Sequence, residues 1–254
     1  MGQVPCAKPW LLLGDGRLAT HLATYLRHLG IPCRQWSRRH GWHSPAPDGN
    51  PPLADAIAHH DRVLVALADD ALADCIQQYR QSDGPIWVHF SGSRCIDGAW
   101  SAHPLCTFGP EPYAAEIYST IPFVLEREGP GLAQLLPGLK NPQVRIPGAD
   151  KALYHAFCVL AGNSTTLLWQ WLFAELEERW GIDPAVAIPY LRRTATNLES
   201  AEPQTVLTGP LARGDAATIQ RNLAALEAAQ RPELAELYRA FTRAASPQAK
   251  EVAA

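Results

Sequence analysis

The sequence predicts an α/β Rossmann-like N-terminal domain with a mainly parallel sheet, followed by an all-α C-terminal domain. The apolar run Trp10-Leu11-Leu12-Leu13 leads into two closely spaced glycines, and a segment with helical periodicity follows. Strand-like and helix-like runs then alternate as far as residue 148, which is typical of a parallel sheet. From residue 149, alanine, leucine and glutamate dominate and strand-like runs disappear. We therefore expect two domains, at residues 1–148 and 149–254.

The first strand runs into a turn with the spacing Gly14-x-Gly16-x-x-Ala19, which indicates a phosphate-binding site. Two glycines let the backbone turn sharply and approach a pyrophosphate, and the helix start offers it unpaired N–H groups. An ordinary strand-to-helix turn is the alternative. The residues expected to bind a dinucleotide here are Gly14, Asp15, Gly16, Arg17 and Leu18.

The second strand indicates which dinucleotide binds. It spans about 31–36 and ends in Ser37-Arg38-Arg39, where an NAD-binding chain would carry an acid. A hydroxyl and two guanidinium groups suit the 2′-phosphate of NADP(H) instead. A solvated loop is the alternative for Arg38 and Arg39.

Further strands are expected at 61–67, 86–90, 121–125 and 144–146, and helices at 53–59 and from an Asp69-Asp70 cap to about Gln81. The strand at 86–90 ends in Ser91-Gly92-Ser93. Ligands of open parallel sheets bind outside the carboxyl ends of the strands, so these three residues should lie beside the nicotinamide half of the cofactor. His103 follows at another strand end.

The helical half should contain four main helices. The first runs from about Lys151 to Trp180, with Gly162 as an irregularity. The others are expected from Asp183-Pro184 to about Ser200, from the Asp215 cap to about Gln230, and from Pro232 to near Ser246-Pro247, with a turn at Thr208-Gly209-Pro210.

Lys151 and His155 are four residues apart, so they project from one face of their helix. Either could protonate a carbonyl oxygen that receives a hydride, while Asn163 orients it if the helix bends. The alternatives are a solvated lysine and a hydrogen-bonded core histidine. Arg213 precedes a helix and could pair with a substrate carboxylate, or form a structural ion pair.

Composition gives no sign of a nucleic-acid or membrane partner. The 254 residues carry a net charge of −3 with both signs mixed, and no stretch is apolar for long enough to span a bilayer. Without a signal-like start, we expect a cytoplasmic protein. The six cysteines lack paired spacing and should be free thiols. Histidines in the loop between Arg39 and Pro52 lack a carboxylate partner at ligand spacing, so no metal site is expected.

Several motifs together resemble one family. They are Gly14-x-Gly-x-x-Ala19, Val88-His89-Phe90-Ser91-Gly92-Ser93, His103-Pro104-Leu105, Lys151-Ala152-Leu153-Tyr154-His155, Asn163 and Leu207-Thr208-Gly209-Pro210-x-x-Arg213-Gly214-Asp215. This set is similar to the two-domain family of predicted NADP-dependent oxidoreductases, in which a Rossmann-like half precedes a helical domain of unknown function.

The resemblance implies a reductase that takes NADPH. Some members of the family are implicated as an alternative type of ketopantoate reductase, which makes pantoate for coenzyme A. The Gly92-Ser93 and His103-Pro104 elements are similar to those of prephenate dehydrogenases, where the serine and histidine meet the substrate. Lys151 is similar in placement to the lysine that opens the second domain of hydroxyacid dehydrogenases. Those enzymes have asparagine where this chain has His155.

We therefore expect an NADPH-dependent reductase of a small 2-oxo acid, with ketopantoate as the first candidate. Imine or cyclohexadienyl substrates are the enzymatic alternative, and an NADP-binding sensor without chemistry is the other. A homodimer is also expected, because the segments 218–226 and 234–241 and the aromatic residues of 169–180 offer more apolar surface than the helical half needs for its own core.

Overall fold

The protein was analysed as a computed structural model, which describes residues 8–45, 49–200, 202 and 205–245. Packing divides the chain into two compact units, one ending at Leu167 and the other beginning at Leu168. The domain boundary expected after residue 148 was based on a change in amino-acid composition. It remains a prediction. No helix in the described ranges is long and apolar enough to cross a lipid bilayer.

The first unit contains an eight-stranded sheet with the order β3-β2-β1-β4-β5-β6-β7-β8. The strands are β1 (Trp10–Leu13), β2 (Cys33–Ser37), β3 (Gly41–Trp42), β4 (Arg62–Val65), β5 (Ile86–His89), β6 (Trp100–Pro104), β7 (Phe123–Glu126) and β8 (Gln143–Ile146). Neighbours are parallel except for β2 with β3 and β6 with β7. The expected Rossmann-like sheet is confirmed, and the hairpin strand β3 was missed within the expected loop.

Side chains of the central strands pack alternately into two apolar layers. Leu11 and Leu13 of β1 face a cluster with Val63, Val65 and Trp87, whereas Leu12 belongs to the cluster on the other face. This alternation is the two-residue period of a strand. Both faces of the sheet are therefore covered, as the near-continuous apolar runs predicted.

The described residues of the first unit also contain six complete α-helices. They are α1 (Arg17–His28), α2 (Leu53–Ile57), α3 (Asp69–Tyr79), α4 (Ala115–Thr120), α5 (Leu132–Leu135) and α6 (Lys151–Val159). The chain turns from β1 into α1 while β2 and β4 pair with opposite sides of β1. This is the topological switch point at which open α/β sheets bind ligands.

The helix that begins at Lys151 changes its pitch after Val159. A π-helical segment, Leu160–Ser164, separates α6 from α7 (Thr165–Ala174), and a second one follows at Glu175–Arg179. Gly162 lies inside the first π segment, so the expected irregularity is confirmed. Single π turns inside α-helices are frequent at functional sites.

Within its described residues the second unit contains helices and connecting segments but no strand. Its remaining helices are α8 (Ile188–Ser200), α9 (Gly209–Arg213), α10 (Ala216–Ala228) and α11 (Pro232–Ala245). The Asp215 carboxylate caps α10 by accepting from Thr218 N, as predicted. Gly209 and Pro210 begin α9 rather than forming a plain turn. The expected last stop at Ser246-Pro247 lies outside the described residues.

Candidate active site

Gly14 ends β1 in a conformation that other residues rarely adopt. Its φ is +129°, and a Cβ atom built on it would lie 2.3 Å from the carbonyl oxygen of Ala66. The Gly14 N–H donates to Trp36 O at 2.9 Å. The turn is thus held between the ends of β2 and β4, and only glycine fits at its start.

Gly16, unlike the crowded Gly14, is surrounded by open space. A Cβ atom on Gly16 would meet nothing within 4 Å, so the space over the turn is open. Gly16 is the N-cap of α1, and no side chain caps this helix. The first-turn N–H groups can therefore serve an anion. Ala19 is fully buried, which fits the close-packing position of the turn. This local geometry is what a bound pyrophosphate requires.

Ser37, Arg38 and Arg39 lie where β2 turns into β3. Ser37 is buried, and it pairs with Gly41 across the hairpin, so Arg38, Arg39 and His40 form its turn. Both arginines are exposed, and neither has an ion-pair or hydrogen-bond partner within the described part of the chain. Two unpaired guanidinium groups beside a hydroxyl suit a phosphate.

A carboxylate also reaches this hairpin. Asp15 Oδ2 lies 3.0 Å from His40 Nδ1, and His43 Nε2 lies 3.1 Å from Ser37 Oγ. The hydrogen bond from Ser37 and the neighbouring His40 hold the pKa of Asp15 below its ordinary value. The loop sequence gave no sign of this carboxylate, because Asp15 is 25 residues from His40 in sequence and meets it only in the fold.

The loop after β5 is held by a carboxylate from α3. Asp69 Oδ2 accepts hydrogen bonds from Ser91 Oγ at 2.9 Å and from Ser93 Oγ at 2.7 Å. The N-cap of α3 is Ala68, and no side chain caps the helix, so the expected capping role of Asp69 was wrong. Its carboxylate holds the two serines instead.

Lys151 is buried, with only 2% of its surface exposed. Its Nζ donates to Ser91 O at 2.9 Å and to Ser101 Oγ at 2.6 Å. Burial lowers the pKa of Lys151, while the Glu126 carboxylate acts in the opposite direction. Lys151 thus connects the start of α6 to the loop after β5 and to the start of β6.

His103 and His155 meet over Gly92. Their ring centroids are 5.6 Å apart at 86°, and a Cβ on Gly92 would lie 2.3 Å from His155 Cδ2 and 3.0 Å from His103 Nε2. The register explains the placement: β6 pairs with β5 only at its start, with Ser101 opposite His89. His103 is therefore carried beyond the end of β5, to the level of the serine loop.

Tyr154, which the sequence reasoning overlooked, orients His103. The Tyr154 hydroxyl and His103 Nδ1 are 2.8 Å apart. Burial raises the pKa of Tyr154, so the phenol stays protonated and can either donate to Nδ1 or accept from it. Burial and the neighbouring His155 lower the pKa of His103 to about 4. The imidazole is therefore neutral at pH 7, and Nε2 is its ring nitrogen beside Gly92.

His89 is a second overlooked residue. It is fully buried at the end of β5, and its Nδ1 accepts from Ser91 N at 3.3 Å. Burial, with the Lys151 ammonium nearby, lowers the pKa of His89 to about 4. Its Nε2 has no hydrogen-bond partner in the described structure. The consecutive apolar residues Ile86, Trp87 and Val88 predicted a buried strand but gave His89 no role of its own.

Asn163 and Arg213 are the remaining predicted site residues. Asn163 lies in the π segment, where its side chain is exposed. Arg213 is the last residue of α9 in the second unit and is also exposed. Their expected roles, orienting a substrate and binding its carboxylate, stay predictions.

Comparison with known proteins gives a family match over part of the chain. Residues 125–245 match the model of DUF2520, a domain of unknown function. The DUF2520 match and the shared fold confirm the resemblance that the motifs suggested. A comparison with curated proteins finds no significant sequence match.

Three solved structures share the fold. A predicted NADP oxidoreductase from Bacteroides fragilis has 24% identity and a TM-score of 0.74, over 94% of this chain and 98% of that chain. A protein from Thermotoga maritima has 24% identity and a TM-score of 0.63, over 92% and 98%. An imine reductase from Aspergillus terreus, in complex with NADPH4 and dibenz[c,e]azepine, has 14% identity and a TM-score of 0.54, over 93% and 94%.

Proposed function

Because the chain joins a Rossmann-like half to a DUF2520 domain, we propose that it is an NADPH-dependent reductase of a small carbonyl or imine compound. The observation that carries this proposal is the pair of imidazoles, His103 and His155, that meet over Gly92 beside the serine loop. Two groups able to hold or give a proton converge there, at the edge of the sheet where a dinucleotide reaches in this fold.

The residues present fit the cofactor. Gly16 leaves open space over the start of α1, and the hairpin turn after β2 offers two unpaired guanidinium groups. The residues that would hold the pyrophosphate, the adenosine ribose and the nicotinamide are Gly14, Asp15, Gly16, Arg17, Leu18, Ser37, Arg38, Arg39, Ser91 and Gly92. NADPH, when bound, supplies a hydride, so the chain itself must supply a proton.

In this proposal the two histidines have different roles in binding and protonating the substrate. His103 is neutral, and in the tautomer whose Nδ1 accepts from Tyr154 it presents an Nε2–H that suits a hydrogen bond to the oxygen or nitrogen of the substrate. His155, across Gly92, donates the proton. Lys151 and Ser93 have their hydrogen bonds inside the protein, so they hold the loop in place while Asn163 orients the substrate.

Ketopantoate is the first substrate to test, because the motif resemblance points to a 2-oxo acid. Imines are the second candidate, favoured by the fold shared with the Aspergillus terreus imine reductase. An NADP-binding sensor is the third, since positioned histidines do not by themselves prove turnover.

Oxidation of NADPH, followed by its absorbance, separates these candidates. Purified protein is mixed with NADPH and a panel of 2-oxo acids and cyclic imines. We expect turnover of at least one compound, and a loss of about 10²- to 10⁴-fold in kcat for His155→Gln and His103→Gln, with NADPH affinity retained. His59→Gln, at an exposed histidine after α2, is the matched control. Tight NADPH binding without turnover of any compound would favour the sensor.

We also propose that the protein forms a homodimer. The surface that supports this proposal differs from the helices that the sequence suggested. Ile219 and Leu223 of α10 are buried against Ala235 of α11, so these helices use their apolar faces within the unit. On α6 and the π segment, Leu153, Phe157 and Leu160 are each more than 60% exposed at helical spacing. Light scattering should give twice the mass of one chain, and Phe157→Glu should reduce it. A monomer at micromolar concentration would contradict this.

A further inference from the structure

Several hydrogen bonds hold the serine loop after β5, and most of them involve Ser91. Ser91 N donates to His89 Nδ1 at 3.3 Å, and Ser91 O accepts from Lys151 Nζ at 2.9 Å. The Ser91 hydroxyl oxygen accepts from the backbone N–H groups of Ser93, at 3.3 Å, and Arg94, at 3.1 Å. These last two bonds close the loop into a turn around the hydroxyl group. Each polar atom of Ser91 therefore has a partner.

Asp69 attaches this loop to a different helix. Its Oδ2 atom accepts from both serine hydroxyls, Ser91 at 2.9 Å and Ser93 at 2.7 Å. Hydrogen bonds to an ionised acceptor are shorter and stronger than those between neutral groups. Asp69 belongs to α3, whereas Lys151, which donates to Ser91 O, belongs to α6. A carboxylate and an ammonium group from two helices thus fix the same residue of the loop.

The segment that ends at Asp69 begins against the phosphate turn. Ala66 N donates to Leu13 O at 2.8 Å, and Ala66 O lies so close to Gly14 that a Cβ atom there would be 2.3 Å away. Two residues separate Ala66 from Asp69 in the chain. The segment 66–69 therefore connects the turn that would hold the pyrophosphate to the serine loop, where the nicotinamide is expected.

The two imidazoles pack directly against the backbone of this loop. Gly92, between the two serines, is buried, and a Cβ atom on it would lie 2.3 Å from His155 Cδ2 and 3.0 Å from His103 Nε2. No side chain fits at this position. Because the contact is so close, a displacement of the loop would either open a gap beside the rings or make the loop collide with them.

We propose that Asp69 is a positioning residue which, by holding Ser91 and Ser93, fixes the serine loop for the nicotinamide half of the cofactor. The inference rests on the proposed cofactor and goes beyond it by assigning this role to α3. Without the carboxylate, the loop would be in its binding position for only part of the time, and the apparent affinity would fall by that fraction. Binding of the adenosine half should not change, because the turn after β1 and the hairpin after β2 would hold it.

Calorimetry with NADPH and with 2′,5′-ADP tests this without catalysis. The second ligand is the adenosine half of the cofactor and lacks the nicotinamide nucleotide, so the ratio of the two dissociation constants reports on the nicotinamide half. In Asp69→Ala we expect NADPH affinity to fall about tenfold, as for a loop that is in place about a tenth of the time. The affinity for 2′,5′-ADP should stay within about twofold of that of the natural chain.

Two further variants separate the contact from the charge. Asp69→Asn keeps an oxygen that can accept from both hydroxyls, so NADPH affinity should recover to within about threefold of that of the natural chain. Asp70→Ala is the matched control, because it removes the neighbouring exposed carboxylate from the same turn of α3. It should leave both affinities unchanged.

The path through the serines has its own readouts. Because Ser93 acts through the same carboxylate oxygen, Ser93→Ala should weaken NADPH binding less in the Asp69→Ala background than in the natural chain. Amide hydrogen exchange, measured without cofactor, should be about tenfold faster at Ser93 and Arg94 in Asp69→Ala, since both N–H groups donate to the Ser91 hydroxyl. Exchange at these amides that matches the natural chain would contradict the role of Asp69.

The outcomes that overturn the inference can be told apart. Equal weakening of NADPH and 2′,5′-ADP in Asp69→Ala, no weakening of either, or the same weakening of NADPH in Asp70→Ala removes the role of Asp69 and leaves the proposed cofactor standing. If Asp69→Ala does not fold, Ser93→Ala breaks part of the same contact from the loop, and an unchanged ratio of dissociation constants there overturns the inference. Failure of the natural chain to bind either ligand overturns the proposed cofactor as well.

Discussion

At the scale of single residues, Arg38 and Arg39 should decide how tightly NADPH binds. Both are exposed and unpaired in the described structure, so each can give charge-assisted hydrogen bonds to a phosphate. Such bonds contribute about 1.5–3 kcal/mol each before solvent and salt weaken them. Arg38→Ala/Arg39→Ala should weaken NADPH binding tens- to hundreds-fold in calorimetry, with little change for NADH and a weaker salt dependence.

A matched control removes two arginines elsewhere. Arg27 lies in the last turn of α1 and Arg80 directly follows α3, each about one helix length from the helix start at the cofactor edge. Arg27→Ala/Arg80→Ala should leave both affinities unchanged. Equal weakening of NADPH and NADH in the first variant would mean that Arg38 and Arg39 hold the shape of the hairpin instead.

At the scale of elements, the unit formed by β1, the following turn and α1 contains two glycines that matter for different properties, Gly14 for stability and Gly16 for binding. Gly14→Ala would place a methyl group 2.3 Å from Ala66 O at a φ of +129°, so the ends of β1 and β4 would have to separate. We expect a loss of at least about 2 kcal/mol of unfolding free energy, measured by urea denaturation, because both strain and the clash act on the folded state.

Gly16→Ala should act on binding instead of stability. Its backbone, with φ of −72°, is open to any residue, and the new methyl group meets nothing within 4 Å. The unfolding free energy should change by less than about 1 kcal/mol, as for an N-cap change, while NADPH affinity falls because the methyl group occupies the open space. A variant that binds NADPH normally would show that the turn does not approach the pyrophosphate.

At the scale of the whole molecule, buried imidazoles link folding to pH. Burial lowers the pKa of His89 and of His103 to about 4, against about 6.5 for an imidazole in an unfolded chain. Between pH 6.5 and 4 the unfolded chain therefore binds protons that the folded chain does not. Stability is complete above this window and falls as the pH falls through it, by up to about 3 kcal/mol per group.

Urea denaturation between pH 4.5 and 7.5 measures this slope. His89→Asn removes one titrating group, so the variant should lose less stability on acidification than the natural chain, whatever its stability at pH 7.5. His59→Asn should keep the natural slope. Carboxylates with lowered pKa, such as Asp15 and Glu175, add to stability above their ordinary pKa values of 3.8 and 4.5 and lose that contribution as the pH falls through their lowered values. Identical slopes in all three proteins would contradict the role of His89.

Local patterns were sufficient for much of the architecture. The apolar runs around Leu12 and Leu64, the glycines of the first turn and the Asp215 cap act within a few residues, so spacing alone predicts them. The irregularity at Gly162 was predicted in the same way. The two-residue strand β3 was not, because its pairing with β2 depends on a hairpin too short to leave a pattern.

The sequence by itself determined the fold class, the phosphate turn, the arginines after β2 and the helical character from residue 151. Only the tertiary structure decided that Asp69 holds Ser91 and Ser93, that Tyr154 orients His103, and that Asp15 meets His40. The reason is physical: periodicity and capping depend on neighbours along the chain, whereas these contacts join residues from separate elements. Their chemistry, including which histidines stay neutral, follows from burial that no local pattern records.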